Sequence, residues 1–147
     1  MKLHTASETI SFAKKLENES IKFYQDLSQR YAKDEDVFLS FVKENGKNVV
    51  QIERAYYGVI TDAIEGCFAF DIETDKYVLE TALAEEVRYA DALGRAVEME
   101  EKIVRFYSDG AEQSKSLMAD VPRAFAIIAK KRSSRSPKLR SLLDKEG

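Results

Sequence analysis

Two glutamates in this chain, Glu17 and Glu100, stand in the same local sequence. In "LENESIKFY" and "MEEKIVRFY" each glutamate precedes the tyrosine of an FY pair by seven residues. Apolar residues recur every three or four positions around both, so a helix would carry each glutamate in the middle of its buried face. A buried carboxylate needs a metal ion or a cationic partner, because an isolated charge is unstable in an apolar interior.

Two further pairs interrupt apolar stripes at a three-residue spacing, Asn45 with Asn48 and Arg132 with Arg135. An arginine stays protonated and cannot coordinate a metal, but its five N–H donors match carboxylate oxygens. We therefore predict that the arginines contact the two glutamates in the core, and that the asparagine amides bond the remaining donors and acceptors. The alternative is that both arginines belong to a solvated basic face, with Pro137 bending or ending the helix nearby.

Four amphipathic segments position these six residues. Their stripes cover residues 10–31, 38–55, 93–110 and 125–142. Asp120 is predicted to cap the fourth helix, and Pro122 suits its first turn. Gly46, a poor helix former, predicts an irregularity in the second helix. The FY pairs at helical spacing predict packing in the core and no direct chemical role.

The chain also repeats itself, since residues 16–27 align with 99–110 and residues 38–52 align with 125–139. The connection after the first helix is short, around "AKDED", which predicts antiparallel neighbours. The next connection has more than twenty residues, and the alternation of Phe68, Phe70 and Ile72 predicts an extended segment within it. We therefore predict one all-α domain over residues 1–147.

The predicted architecture is an antiparallel four-helix bundle with one long crossover, about residues 66–88, between helices 2 and 3. The two glutamate motifs resemble the first and third helices of the rubrerythrin branch of ferritin-like proteins. That resemblance implies a ferritin-like bundle, with Glu17 and Glu100 at positions that bind a di-iron centre. It also implies an ExxH motif on the second helix and another on the fourth.

Neither ExxH motif is present. The corresponding residues are "NGKN", from Asn45 to Asn48, and "RSSR", from Arg132 to Arg135, and the single histidine of the chain is His4. The six positions are therefore predicted to be a vestigial metal site. We expect no cofactor and no catalytic residue there, because amides bind iron weakly and guanidiniums repel it.

Two functions follow from this degenerate site. The first is a metal-free structural, interaction or regulatory module, expected to form a homodimer or another homo-oligomer. The alternative is a divergent metal-binding oxidoreductase, handling peroxide or iron, in which Glu17 and Glu100 hold a di-iron centre with Glu44 or Glu101 and the asparagine amides. The chain has no cysteine pair for a rubredoxin-type iron site, and with one histidine it has no Ser-His-Asp set.

Charge and composition restrict the classes of partner and the location that can be expected for this chain. Seven basic and no acidic residues lie between positions 121 and 143. Their densest part, "KKRSSRSPKLR", is typical of a patch for nucleic acid or an acidic partner, or of a solvated basic face. The net charge of −3 and the pI near 5.4 of the whole chain argue against nucleic acid. No apolar run is long enough for a membrane span or a signal peptide, so a cytoplasmic location is expected. The lone Cys67 is predicted to be a structural thiol.

Overall fold

A computed structural model describes residues 1–61 and 68–146 of the chain, except the side chains of residues 59–61. The described part is mostly helical, which confirms the all-α prediction, with one short strand pair in addition. The elements are β1 (Lys2–Leu3), α1 (Ala6–Arg30), α2 (Glu35–Thr61), β2 (Ile72–Glu73), α3 (Tyr89–Ser114), α4 (Asp120–Ser133) and α5 (Arg135–Glu146). Short 3-10 turns lie at Ala32–Asp34 and Thr74–Tyr77.

Helices α1 and α2 pack side by side in opposite directions. Thr5 caps α1 in a reciprocal capping box with Glu8, which bonds backbone N–H groups that the helix leaves free. Along α1 toward lower numbers the partners on α2 rise: Ser20 meets Asn45, and Lys14 meets Glu53. The short turn between the two helices therefore makes them antiparallel neighbours, as predicted.

The other helices form antiparallel contacts in the same way. α3 lies against α1, so that Tyr24 meets Glu100 while Glu17 meets Tyr107. α4 packs on both α2 and α3, and α5 packs on α3. Contacts therefore run from α1 to α2, α4, α3 and back to α1, which brings the middles of all four helices together.

The fourth predicted helix is divided in two. α4 ends at Ser133 and α5 begins at Arg135, with Ser134 between them. Pro137 is the physical reason, because its ring would clash with the carbonyl of residue 133 in a continuous helix. At the start of α4, Asp120 is the first helical residue and makes no cap bond, so its predicted role as the cap is wrong.

Part of the long connection is extended, as predicted. β2 pairs antiparallel with β1, in the register Lys2 with Glu73 and Leu3 with Ile72, and Phe70 is buried beside it. Phe68 does not follow the predicted alternation: it is 74% exposed and stacks on the ring of His4. The predicted connection, residues 66–88, ends where α3 begins. Its first two residues lie outside the described residues, and so does the thiol of Cys67 that was predicted to be structural.

Two helix glycines have opposite surroundings. A Cβ atom on Gly110 would lie 2.8 Å from the ring of Phe125, so the close approach of α3 and α4 requires glycine there. A Cβ on Gly46 would meet nothing within 4 Å, and α2 is continuous through it, so the predicted irregularity is absent. Glycine in a helix interior costs about 0.5–1 kcal/mol relative to alanine, and no packing contact explains that cost at Gly46.

Candidate functional site

The six residues singled out in the sequence meet at the centre of the helices. Each is at most 1% exposed, including both arginines, so the prediction of Glu–Arg contacts in the core is confirmed and the solvated alternative is wrong. Each of the five helices contributes at least one of them: Glu17 (α1), Asn45 and Asn48 (α2), Glu100 (α3), Arg132 (α4) and Arg135 (α5).

The guanidinium of Arg132 joins the two glutamates. Its Nε donates to Oε2 of Glu17 at 3.0 Å, and its Nη1 donates to Oε1 of Glu100 at 2.6 Å. Its Nη2 donates to Oδ1 of Asn45 at 3.1 Å. One side chain on α4 is therefore bonded to α1, α2 and α3, and all three of its nitrogen atoms have partners.

Arg135 extends the network toward the surface. Its Nη1 donates to Oε2 of Glu100 at 3.2 Å and its Nη2 to Oδ1 of Asn45 at 2.6 Å. Its Nε and Nη2 donate to Oε1 of Glu44 at 3.1 and 2.8 Å, and its guanidinium lies 4.8 Å from the centre of the Phe41 ring. Glu44, considered in the sequence only as a metal ligand, is instead a half-buried partner of this arginine.

Two tyrosines cross-link α1 and α3, which the sequence interpretation missed. The Tyr24 hydroxyl donates to Oε2 of Glu100, and the Tyr107 hydroxyl donates to Oε2 of Glu17, each at 2.6 Å. Each helix thus supplies a tyrosine to the glutamate of the other. Helical spacing alone predicts packing for both residues, whereas the repeated interval of seven residues from each glutamate is the signal for their common role.

The asparagines complete part of the hydrogen bonding. Asn45 Nδ2 donates to Oγ of Ser20 at 3.0 Å, and Asn48 Nδ2 donates to Oε1 of Glu17 at 3.2 Å. Oδ1 of Asn48 has no hydrogen-bond partner among the described residues. The prediction that the amides satisfy the remaining groups is therefore right for Asn45 and incomplete for Asn48.

The charges in the interior balance, because two carboxylates face two guanidiniums. Burial opposes ionisation of Glu100, but the positive charges of Arg132 and Arg135 and the Tyr24 hydrogen bond hold its pKa below the ordinary value. Burial tends to lower the pKa of Arg132, and the carboxylates of Glu100 and Glu17 raise it well above the ordinary value. Glu100 and Arg132 are therefore both ionised.

The tyrosine hydroxyls remain protonated in this environment. Burial raises the pKa of Tyr24 well above the ordinary value, and the negative charge of Glu100 raises it further. Burial and Glu17 have the same effects on Tyr107. Each hydroxyl is consequently held as a hydrogen-bond donor to a carboxylate, which is the role that its position requires.

The residues do not fit a di-iron centre. The guanidinium of Arg132 stands between the two carboxylates that would hold iron, and Glu101 is exposed and paired with Arg140 at 2.9 Å. Within residues 1–61 and 68–146, no group of three or more His, Cys, Asp or Glu side chains is arranged to hold a metal ion. Of the two further glutamates considered as ligands, Glu101 is therefore turned away from Glu17 and Glu100, and Glu44 is bonded to Arg135.

A cleft of about 360 Å³ reaches this network from outside. It is bounded by Val104, Arg105 and Ser136, and Glu100 and Arg132 lie at its base. Because both basal groups are already bonded to each other, the cleft ends on a completed ion pair and exposes no free ligand atom of Glu100.

Comparisons with family models, with curated proteins and with solved structures find no match for this chain. None of the helices in the described part of the chain is long and apolar enough to cross a membrane. Function is therefore inferred from the network and from the surfaces of the helices around it.

Replacing Arg132 by alanine should strongly destabilise the protein. The change leaves two buried carboxylates without their shared partner, which typically costs about 3–5 kcal/mol. The measurement is the free energy of unfolding in urea. Arg140→Ala, which removes an exposed ion pair with Glu101, is the matched control and should have little effect. Equal small losses in both variants would contradict the bridging role of Arg132.

The ion pair should also make stability depend on acid pH. Because the folded state lowers the pKa of Glu100, its contribution is present above the ordinary glutamate pKa and is lost as pH falls through the folded-state pKa. The difference in unfolding free energy between the parent protein and Glu100→Gln should therefore shrink from about pH 6 to about pH 3. A difference that stays constant over this range would argue against an ionised Glu100.

Proposed function

We propose that this chain is a ferritin-like protein of the rubrerythrin type with a degenerate di-iron site, in which an arginine–glutamate network stands where the metal ions would be. It is metal-free, and it works as a non-catalytic interaction or regulatory module. The observation that carries this proposal is the guanidinium of Arg132, bonded to Glu17 and Glu100 at 3.0 and 2.6 Å.

The helix arrangement supports the family part of the proposal. Helices α1, α2, α4 and α3 contact one another in a closed series, and a long connection separates the first hairpin from the second. Single-crossover bundles of this kind place their metal ligands on facing helices at mid-depth. Glu17 and Glu100, which the resemblance assigns to metal binding, are buried at that depth and face each other across one guanidinium.

The chemistry of the network supports the absence of catalysis. A di-iron centre offers open coordination positions and electrons, whereas a guanidinium offers only fixed N–H donors and a constant charge. Every oxygen of both carboxylates accepts a hydrogen bond from an arginine, tyrosine or asparagine donor. Such a network fixes how the helices fit together, and desolvation offsets much of its Coulomb energy. The proposed activity therefore belongs to the surface, and the homodimer remains a prediction.

Metal analysis tests the proposal. The full chain, produced in iron-supplemented medium and then incubated anaerobically with Fe(II), should retain far less than one iron per chain and should not accelerate peroxide reduction. A matched variant with Asn45→Glu, Asn48→His, Arg132→Glu and Arg135→His restores both ExxH motifs and should gain up to about two irons per chain. Near-stoichiometric iron in the parent protein, with peroxide reduction, would establish the oxidoreductase alternative.

A further inference from the structure

A cationic groove lies on the outside of the molecule where α2 and α4 meet. It has a volume of about 610 Å³ and is bounded by Lys43, Lys47 and Arg54 of α2 and by Lys131 of α4. The residues of α2 recur at helical spacing, so they lie along one face, with Val50 between Lys47 and Arg54. The groove is separate from the buried network, although the same two helices form it.

None of the four cations that bound this groove makes an ion pair with another residue in the described part of the chain. Lys131 bonds only to the neutral amide of Gln51, at 3.4 Å. The acids of α2 near the groove have other partners, since Glu44 bonds to Arg135 and Glu53 pairs with a lysine of α1. Like charges one turn apart repel each other, so an anionic group bound between them would relieve that repulsion.

Gly46 is a second and independent observation about the groove, because the absence of a side chain there keeps the groove open. It lies in the groove between Lys43 and Lys47, it has open space around the position of a Cβ, and packing does not require a glycine there. The contrast with Gly110, whose Cβ would meet Phe125, shows what a packing glycine looks like in this protein. At Gly46 the missing side chain leaves space for a ligand against the helix.

We propose that this groove binds an acidic, Asp/Glu-rich segment of a partner protein. From Lys43 to Arg54 the groove spans about 16 Å of helix, which an extended peptide of about five residues would cover. Three of the four cations are lysines, which act as separate point charges along that length and do not form a fork around one phosphate. Val50, 46% exposed, offers a contact for one apolar side chain of the segment.

Nucleic acid fits the groove less well than an acidic peptide. The chain carries 26 acidic and 23 basic residues, so its net charge of −3 repels a long polyanion outside the groove. The proposal rests on the proposed function, because it names the partner class of a metal-free interaction module. Iron content and peptide binding are measured separately, so the failure of one proposal is distinguishable from the failure of the other.

The test is fluorescence anisotropy with the full chain and a labelled acidic peptide of about six residues around one leucine. The control probes are the Asn/Gln form of the peptide and a short random DNA duplex. The acidic peptide should bind at least about tenfold tighter than the neutral one, which corresponds to about 1.4 kcal/mol, and its affinity should fall with added salt. Equal binding of the two peptides overturns the proposal, and tighter binding of the duplex overturns it in favour of nucleic acid.

Variants locate the binding. Lys43→Glu with Lys47→Glu should weaken peptide binding at least about tenfold, whereas the same charge change at the exposed Lys22 and Lys76, outside the groove, should change it less than about twofold. Gly46→Gln keeps the charge and fills the groove with a good helix former, so it should also reduce binding in a fully folded protein. Equal losses in the control, or unchanged binding in Gly46→Gln, overturn the assignment to this groove.

Discussion

The guanidinium of Arg132 is the point at which the helices of this protein are joined. From α4 it bonds to Glu17 on α1, Asn45 on α2 and Glu100 on α3, with little freedom to exchange partners because the guanidinium is planar. A buried charge of either sign would be unstable alone, so each helix needs the others at this level. The register in which neighbouring helices pack follows from that requirement, while apolar side chains on both sides of the network keep it away from water.

The sequence predicted the centre of the molecule better than its periphery. Helical periodicity identifies which residues face inward, and for that reason Glu17, Glu100 and Arg132 were placed correctly in the core. Periodicity does not identify partners on other helices. The bonds from Tyr24 and Tyr107 were missed because they depend on how α1 lies against α3.

Local rules also failed where tertiary contacts or steric clashes decided the outcome. The break at Ser134 follows from Pro137, which the sequence identified as a residue that bends or ends the helix but only as part of the solvated alternative. Phe68 fits an alternating pattern but stacks on His4 at the surface, because its neighbour is the N-terminal segment. The sequence identified the basic stretch that contains Lys131, but its combination with the cations of α2 was missed, since it depends on the packing of α4 against α2.

The buried network and the cationic groove lie on opposite sides of the same two helices, α2 and α4. Lys131 and Arg132 are consecutive, yet one points into the groove and the other into the network. Lys47 and Asn48 are divided in the same way on α2. The bond from Arg132 to Asn45 therefore links the two helices that form the groove. The buried network thereby holds the proposed binding surface in shape.

The most direct test of the central claim is X-ray diffraction at the iron absorption edge from crystals of the full chain soaked anaerobically in Fe(II). The account predicts density for the Arg132 guanidinium between Glu17 and Glu100, with no anomalous peak between the two carboxylates. An anomalous peak at that place, with Arg132 displaced from both glutamates, would contradict it.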